Sequence, residues 1–193
     1  MNDPVLSLPE TVHRTATLIR NMMAFWKSAH GWAPIEAAEF LNKSMLEWQS
    51  SLADNLSKWI GPLSDGELIL AWANIGALVE GQLKLFLSVY YKDYIANDQE
   101  AIKGKGGTTL DPDGVLLEPL RVFFKKNIWY PEEDWDAWIL LVQQRRNAIH
   151  AFKAKTIGTS DELHGALKKL LVFVRRINAQ LPYPDGMYVP RER

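Results

Sequence analysis

Four side chains able to move a proton or hold an anion crowd into the stretch from 145 to 150: Arg145, Arg146, Asn147 and His150, within LVQQRRNAIHAFKAKTIG. An imidazole titrates near pH 6.5, so it accepts or donates protons under ordinary conditions. A guanidinium stays charged and meets two oxygens of a phosphate at once. Arg146 and His150 are an i, i+4 pair. The apolar stripe Trp135, Trp138, Val142, Ile149 runs through position 145, so a guanidinium stands where a leucine is expected. A structural reading competes: both arginines lay their stems along the protein and reach water, and His150 caps the helix C-terminus, where a cation is mildly favoured. Lys153 and Lys155 extend the basic run. His13, His30 and His164 fall in polar or solvated settings and read as surface imidazoles.

What is missing narrows the chemistry. The 193 residues contain no cysteine, which removes a thiolate nucleophile, a disulfide framework and Cys-ligated metals. No glycine-rich phosphate loop, zinc-type His pair or Gly-x-Ser-x-Gly elbow occurs, and no metal or cofactor is expected. The absence of cysteine suits a reducing compartment, and the cytoplasm is the expected location. The longest uncharged apolar run, Leu68 to Val79, is too short for the roughly 20 residues of a membrane span, and the N-terminus lacks the pattern of a signal peptide.

Formal net charge is only -1, so any electrostatic site must be local. Residues 1–100 carry seven basic and twelve acidic side chains, against fifteen and eleven in 101–193. Between Ala137 and Arg176 eight basic residues face only Asp161 and Glu162, an excess suited to a phosphate backbone or to a solvated helix face.

The elements that carry these residues all show helical spacing, and no segment alternates long enough to propose a strand. The first helix spans Pro9 to Ser28 with Val12, Ala16, Ile19, Met23 and Trp26 on one face. The second opens at Pro34 and continues through Trp59, completing an N-terminal hairpin over residues 1–60. Ser64 and Glu67 form a capping box before a third, almost wholly apolar helix reaching about Tyr94. Glu80 on that helix needs a partner, for which Lys84 and Arg145 are the candidates. Residues 97–114, with GKGG and DPDG, read as a loop: a lid, a partner contact or a plain surface excursion. Helices over Leu116 to Lys126, from Pro131 to about Phe152, and from a Thr159 cap through Leu181 follow, then an irregular tail. The expectation is a single all-α domain over 1–193, with a core bundle over 64–184 behind the hairpin. Among the eight tryptophans, Trp32 and Trp129 near helix ends suit either core or interface.

Arg145, four residues, then His150 resembles the Arg-x4–6-His signature of the HEPN superfamily, small α-helical domains many of which are metal-independent ribonucleases. RRNAIHAFK, the Ile-Gly, the capped amphipathic helix and the closing Leu-Pro-Tyr-Pro look like the C-terminal half of several standalone members, and the helix with Glu80 and Lys84 sits where such domains have their core helix. The resemblance covers Ser64 to Pro184. One departure is plain: in the family a polar residue, commonly Asn, follows the motif arginine directly, whereas here Arg146 follows Arg145. Either Arg145 is the motif arginine and Asn147 is displaced by one, or Arg146 takes that role at shorter spacing; Arg145 is favoured.

The resemblance implies RNA cleavage by attack of the substrate's own 2′-hydroxyl, leaving a 2′,3′-cyclic phosphate and a 5′-hydroxyl. His150 would move the proton, Arg145 or Arg146 would hold the phosphate, and Asn147 would orient one of them. DNA should resist. It also implies a homodimer with two such helices facing one cleft, in the setting of a toxin or defence effector, with an antitoxin or nucleotidyltransferase as a possible partner. The competing implication is a non-catalytic HEPN module that binds a nucleotide, RNA or a protein.

Overall fold

A computed structural model describes residues 6–150 and 154–193, and these form an all-helical bundle. The helices are α1 (Leu8–Lys27), α2 (Ile35–Lys43), α3 (Leu46–Asp54), α4 (Asp65–Val89), α5 (Tyr91–Ala96), α6 (Leu117–Asn127), α7 (Trp135–Arg146) and α8 (Ser160–Asn178). Among the described residues the one β pairing is an isolated antiparallel bridge, Lys103 to Thr109. Also among them, no helix is long and apolar enough to cross a membrane.

α4 forms the axis. Its Ser64 cap is built as the sequence spacing predicts: Glu67 Oε2 accepts from the Ser64 backbone N–H at 2.8 Å. Trp72, Ile75, Leu78, Val79 and Leu83 are fully buried, as an apolar helix with neighbours on all sides requires. α7 and α8 pack on one flank, α2 and α3 on another. α1 lies against α3 and α8, and its stripe of Val12, Ala16, Ile19, Met23 and Trp26 joins the same buried cluster that ends at Leu181. α8 buries Leu163, Leu167, Leu170, Val174 and Ile177, the apolar face expected from their spacing.

Three expected helices are bounded differently. The second breaks into α2 and α3 at Ser44, whose backbone is extended and whose Oγ donates back to Phe40 O at 3.0 Å, offering the chain a local alternative to the helix. The third kinks at Tyr90, where α4 gives way to α5. The fifth starts at Trp135 rather than Pro131, because the carboxylate of Glu133 accepts from the Tyr130 backbone N–H, from Trp135 Nε1 and from the Arg176 guanidinium. Its α-helical part ends at Arg146, and Asn147–His150 is a single 3-10 turn.

The segment over 97–114 is tied to the core. Tyr94 donates its hydroxyl to Leu110 O, Tyr91 donates to Asp111 Oδ1, and Lys84 donates to Asp113 O, while Ala101, Pro112 and Val115 are buried. The irregular tail is a strap: Glu192 pairs with both Arg14 of α1 and Arg175 of α8. Trp129 is a core residue against Phe124, Trp135 and Phe173, and Trp32 leans half-exposed on Phe25 and Trp26.

Candidate functional site

α7 ends in two consecutive arginines, and the helix turns each towards a different neighbour. Arg146 faces α4: its Nη1 donates to Glu80 Oε2 at 2.6 Å. Arg145 faces α8: its Nη2 donates to Glu162 Oε1 at 3.2 Å and its Nη1 to Thr156 O at 2.8 Å. The Glu80 partners are therefore Lys84, at 2.9 Å, and Arg146; the Arg145 pairing considered from sequence does not form, because 145 lies on the α8 side of the helix. Burial alone would push the Glu80 carboxyl up, but hydrogen bonds and charge from Lys84 and Arg146 outweigh it and hold it below the usual carboxylate range.

Gly76 makes the Arg146 seat possible. A Cβ at 76 would lie 2.5 Å from Arg146 Cδ and 3.0 Å from its Cβ, so only glycine lets the arginine stem cross α4 there. Gly76, Glu80 and Lys84 thus form one row, four residues apart, under the α7 end. On the other side Glu162 does two jobs. Its Oε2 accepts from the Thr159 backbone N–H at 2.8 Å in the α8 capping box, while its Oε1 takes Arg145. Gly158, at φ +76°, makes the left-handed turn into that box, a conformation that disfavours any side chain. Sequence reasoning found Glu162 as a cap and missed it as a partner of Arg145. The signal for Gly76 was present: a poor helix former in the middle of an apolar helix, costing about 1 kcal/mol against alanine, marks a close approach.

His150 and Lys155 are exposed and Asn147 is half-buried; none makes a side-chain hydrogen bond or ion pair with the other described residues. Lys153 lies outside the described residues. The two arginines differ in what they can still offer. Arg145 has 14% of its side chain exposed, and its buried Nε has no hydrogen-bond partner among the described residues. Arg146 has 30% exposed and spends one of five N–H donors on Glu80. His13 and His30 are exposed as expected, whereas His164 is half-buried with its Nε2 shielded from solvent.

The basic excess read along 137–176 is largely cancelled in space by carboxylates from elsewhere in the chain. Lys169 pairs with Asp134, Arg175 with Glu192 and Arg176 with Glu133, in addition to the two α7 pairs. Linear counting missed this because four of the five partners, Glu80, Glu133, Asp134 and Glu192, lie outside the 137–176 stretch and reach it only through the fold. Among the described residues no group of three or more His, Asp or Glu side chains is placed to hold a metal ion.

No protein-family model, no curated protein and no solved structure matches the chain.

Proposed function

We propose that this chain is a HEPN-like helical domain that cleaves RNA without a metal at the C-terminal end of α7. The observation that carries the reading is an exposed imidazole, His150, held one 3-10 turn beyond a guanidinium that Glu80 fixes in place. In this reading His150 takes the proton of the substrate 2′-hydroxyl as that oxygen attacks the neighbouring phosphorus, the P–O5′ bond breaks, and the departing 5′-oxygen takes a proton from water to leave as a hydroxyl. Arg146, with donors to spare, meets the non-bridging oxygens as charge builds on them. Arg145 is a positioning residue: through Thr156 O it fastens the strand of chain that leads from the site back to α8. Asn147, whose carboxamide has no hydrogen-bond partner among the described residues, would orient the phosphate. Two copies facing each other across α7 would double the cationic groups on one substrate, which is the use of a homodimer here.

A second reading, a module that binds a nucleotide, RNA or partner protein without cutting, is favoured by one observation: both arginines at the end of α7 already have carboxylate partners, Glu162 and Glu80. Incubating labelled single-stranded RNA in EDTA with the wild type, His150→Ala and Arg146→Ala separates the two. Cleavage that each substitution lowers by about 100-fold or more supports the ribonuclease. RNA that binds to a folded wild type and stays intact supports the binding module.

A further inference from the structure

An apolar cavity of about 380 Å³ lies away from the α7 end, between the end of α4, α5 and α6. Four aromatic side chains share its lining with aliphatic Leu87 and Ile128 and with the polar Asp93, Asn97, Glu100 and Asn127, and together with Phe124 behind them the rings form a continuous arc. Tyr90 lies 4.8 Å from Phe86 between centroids, Phe86 lies 5.3 Å from Phe124, Phe124 lies 6.0 Å from Phe123, and Phe123 lies 5.7 Å from Tyr94. Phe124 is fully buried and backs the arc, and the other four rings line the space.

The polar atoms of both tyrosines are committed elsewhere. Tyr90 donates its hydroxyl to Gln180 O at 2.5 Å, and Tyr94 donates to Leu110 O while accepting from the Ile102 N–H. What the cavity receives from them is ring surface, without a hydroxyl to bind a polar ligand. At the rim Asp93 makes no side-chain hydrogen bond or ion pair with any described residue, and the second carboxylate, Glu100, is already met by Lys126 at 2.5 Å. No basic residue lines the cavity.

Aromatic faces carry negative charge density and attract cations, most strongly when water is excluded, and a nearby unpaired carboxylate adds to the field. Anionic ligands are disfavoured by the same lining. We infer that this aromatic cavity is a binding site for a compact organic cation, an alkylated or protonated amine whose charged head sits among Phe86, Tyr90, Tyr94 and Phe123 beside Asp93. The site is independent of the RNA reading and stands whether or not His150 is catalytic.

Choline and its uncharged carbon isostere, 3,3-dimethylbutan-1-ol, are matched probes, titrated into the full chain and followed by proton NMR. Ring currents should move the choline N-methyl signal upfield on binding. The cation should bind at least about tenfold more tightly than the isostere, the scale set by a few aromatic contacts and one carboxylate. Asp93→Asn, an exposed substitution that leaves the packing alone, should remove most of that preference, and Phe123→Leu should reduce the upfield shift. Equal binding of the two probes, or a choline signal that does not respond to millimolar folded protein, overturns the inference. So does a preference that Asp93→Asn and Phe123→Leu both leave intact.

Discussion

Glu80→Gln tests the seat under the α7 end. The substitution keeps the shape and one acceptor for Arg146 but removes the charge that holds both Arg146 and Lys84. A fully buried pair broken on one side costs about 3–5 kcal/mol, and an exposed pair about 0–1 kcal/mol. Here Glu80, Lys84 and Arg146 have 16%, 26% and 30% of their side chains exposed, between those limits. With the retained amide acceptor, a loss of about 1–2 kcal/mol at pH 7 follows, which lowers the Tm of a domain of this size by roughly 2–8 °C. The pH dependence has a definite sign. The folded carboxyl is held below its ordinary value, so its contribution is present above the unfolded pKa of about 4.3 and disappears as pH falls through the folded value. Thermal unfolding of the two proteins should therefore differ at pH 7 and converge as pH is lowered through the depressed folded pKa of Glu80. Equal Tm at pH 7, or a gap that survives undiminished in acid, would refute the account of this pair.

Gly76→Ala pushes a methyl into the Arg146 stem and should cost about 1–3 kcal/mol in urea unfolding, far from the gain an alanine normally gives inside a helix; a stabilised variant would mean the stem moves aside freely. Thr159→Ala removes an N-cap that accepts from the Glu162 N–H at 3.2 Å, and a loss of about 1 kcal/mol is expected in the same assay. Light scattering at micromolar concentration should report about twice 22.0 kDa if the paired-α7 arrangement is right, and a clean monomer would count against it.

Much of the fold is legible from apolar spacing and caps alone. The stripes of α1 and α8 and both Ser/Thr–Glu capping boxes are local features, complete within a few residues, and they are found where the sequence puts them. The break at Ser44 was not legible because Leu41, Met45 and Trp48 keep helical spacing across it; only the side-chain bond back to Phe40 O distinguishes the two courses of the chain. The start of α7 failed for a longer-range reason, the capture of Glu133 by Arg176 43 residues later. At the site, the cluster of Arg145, Arg146, Asn147 and His150 was visible as a cluster, but which arginine meets Glu80 was not. A helical wheel gives the phase of one helix and says nothing of which neighbour lies on each side, and here α4 takes Arg146 while α8 takes Arg145.

The ribonuclease reading meets its most direct test in the ends of the RNA. Single-stranded RNA treated with wild-type protein in EDTA and analysed by mass spectrometry should yield fragments ending in 2′,3′-cyclic phosphate. The same RNA carrying 2′-deoxy sugars at the cut positions should stay whole there, and His150→Ala should leave both substrates uncut. Cleavage of the 2′-deoxy substrate, or cyclic-phosphate products that persist undiminished with His150→Ala, would contradict the assignment of the proton transfer to His150.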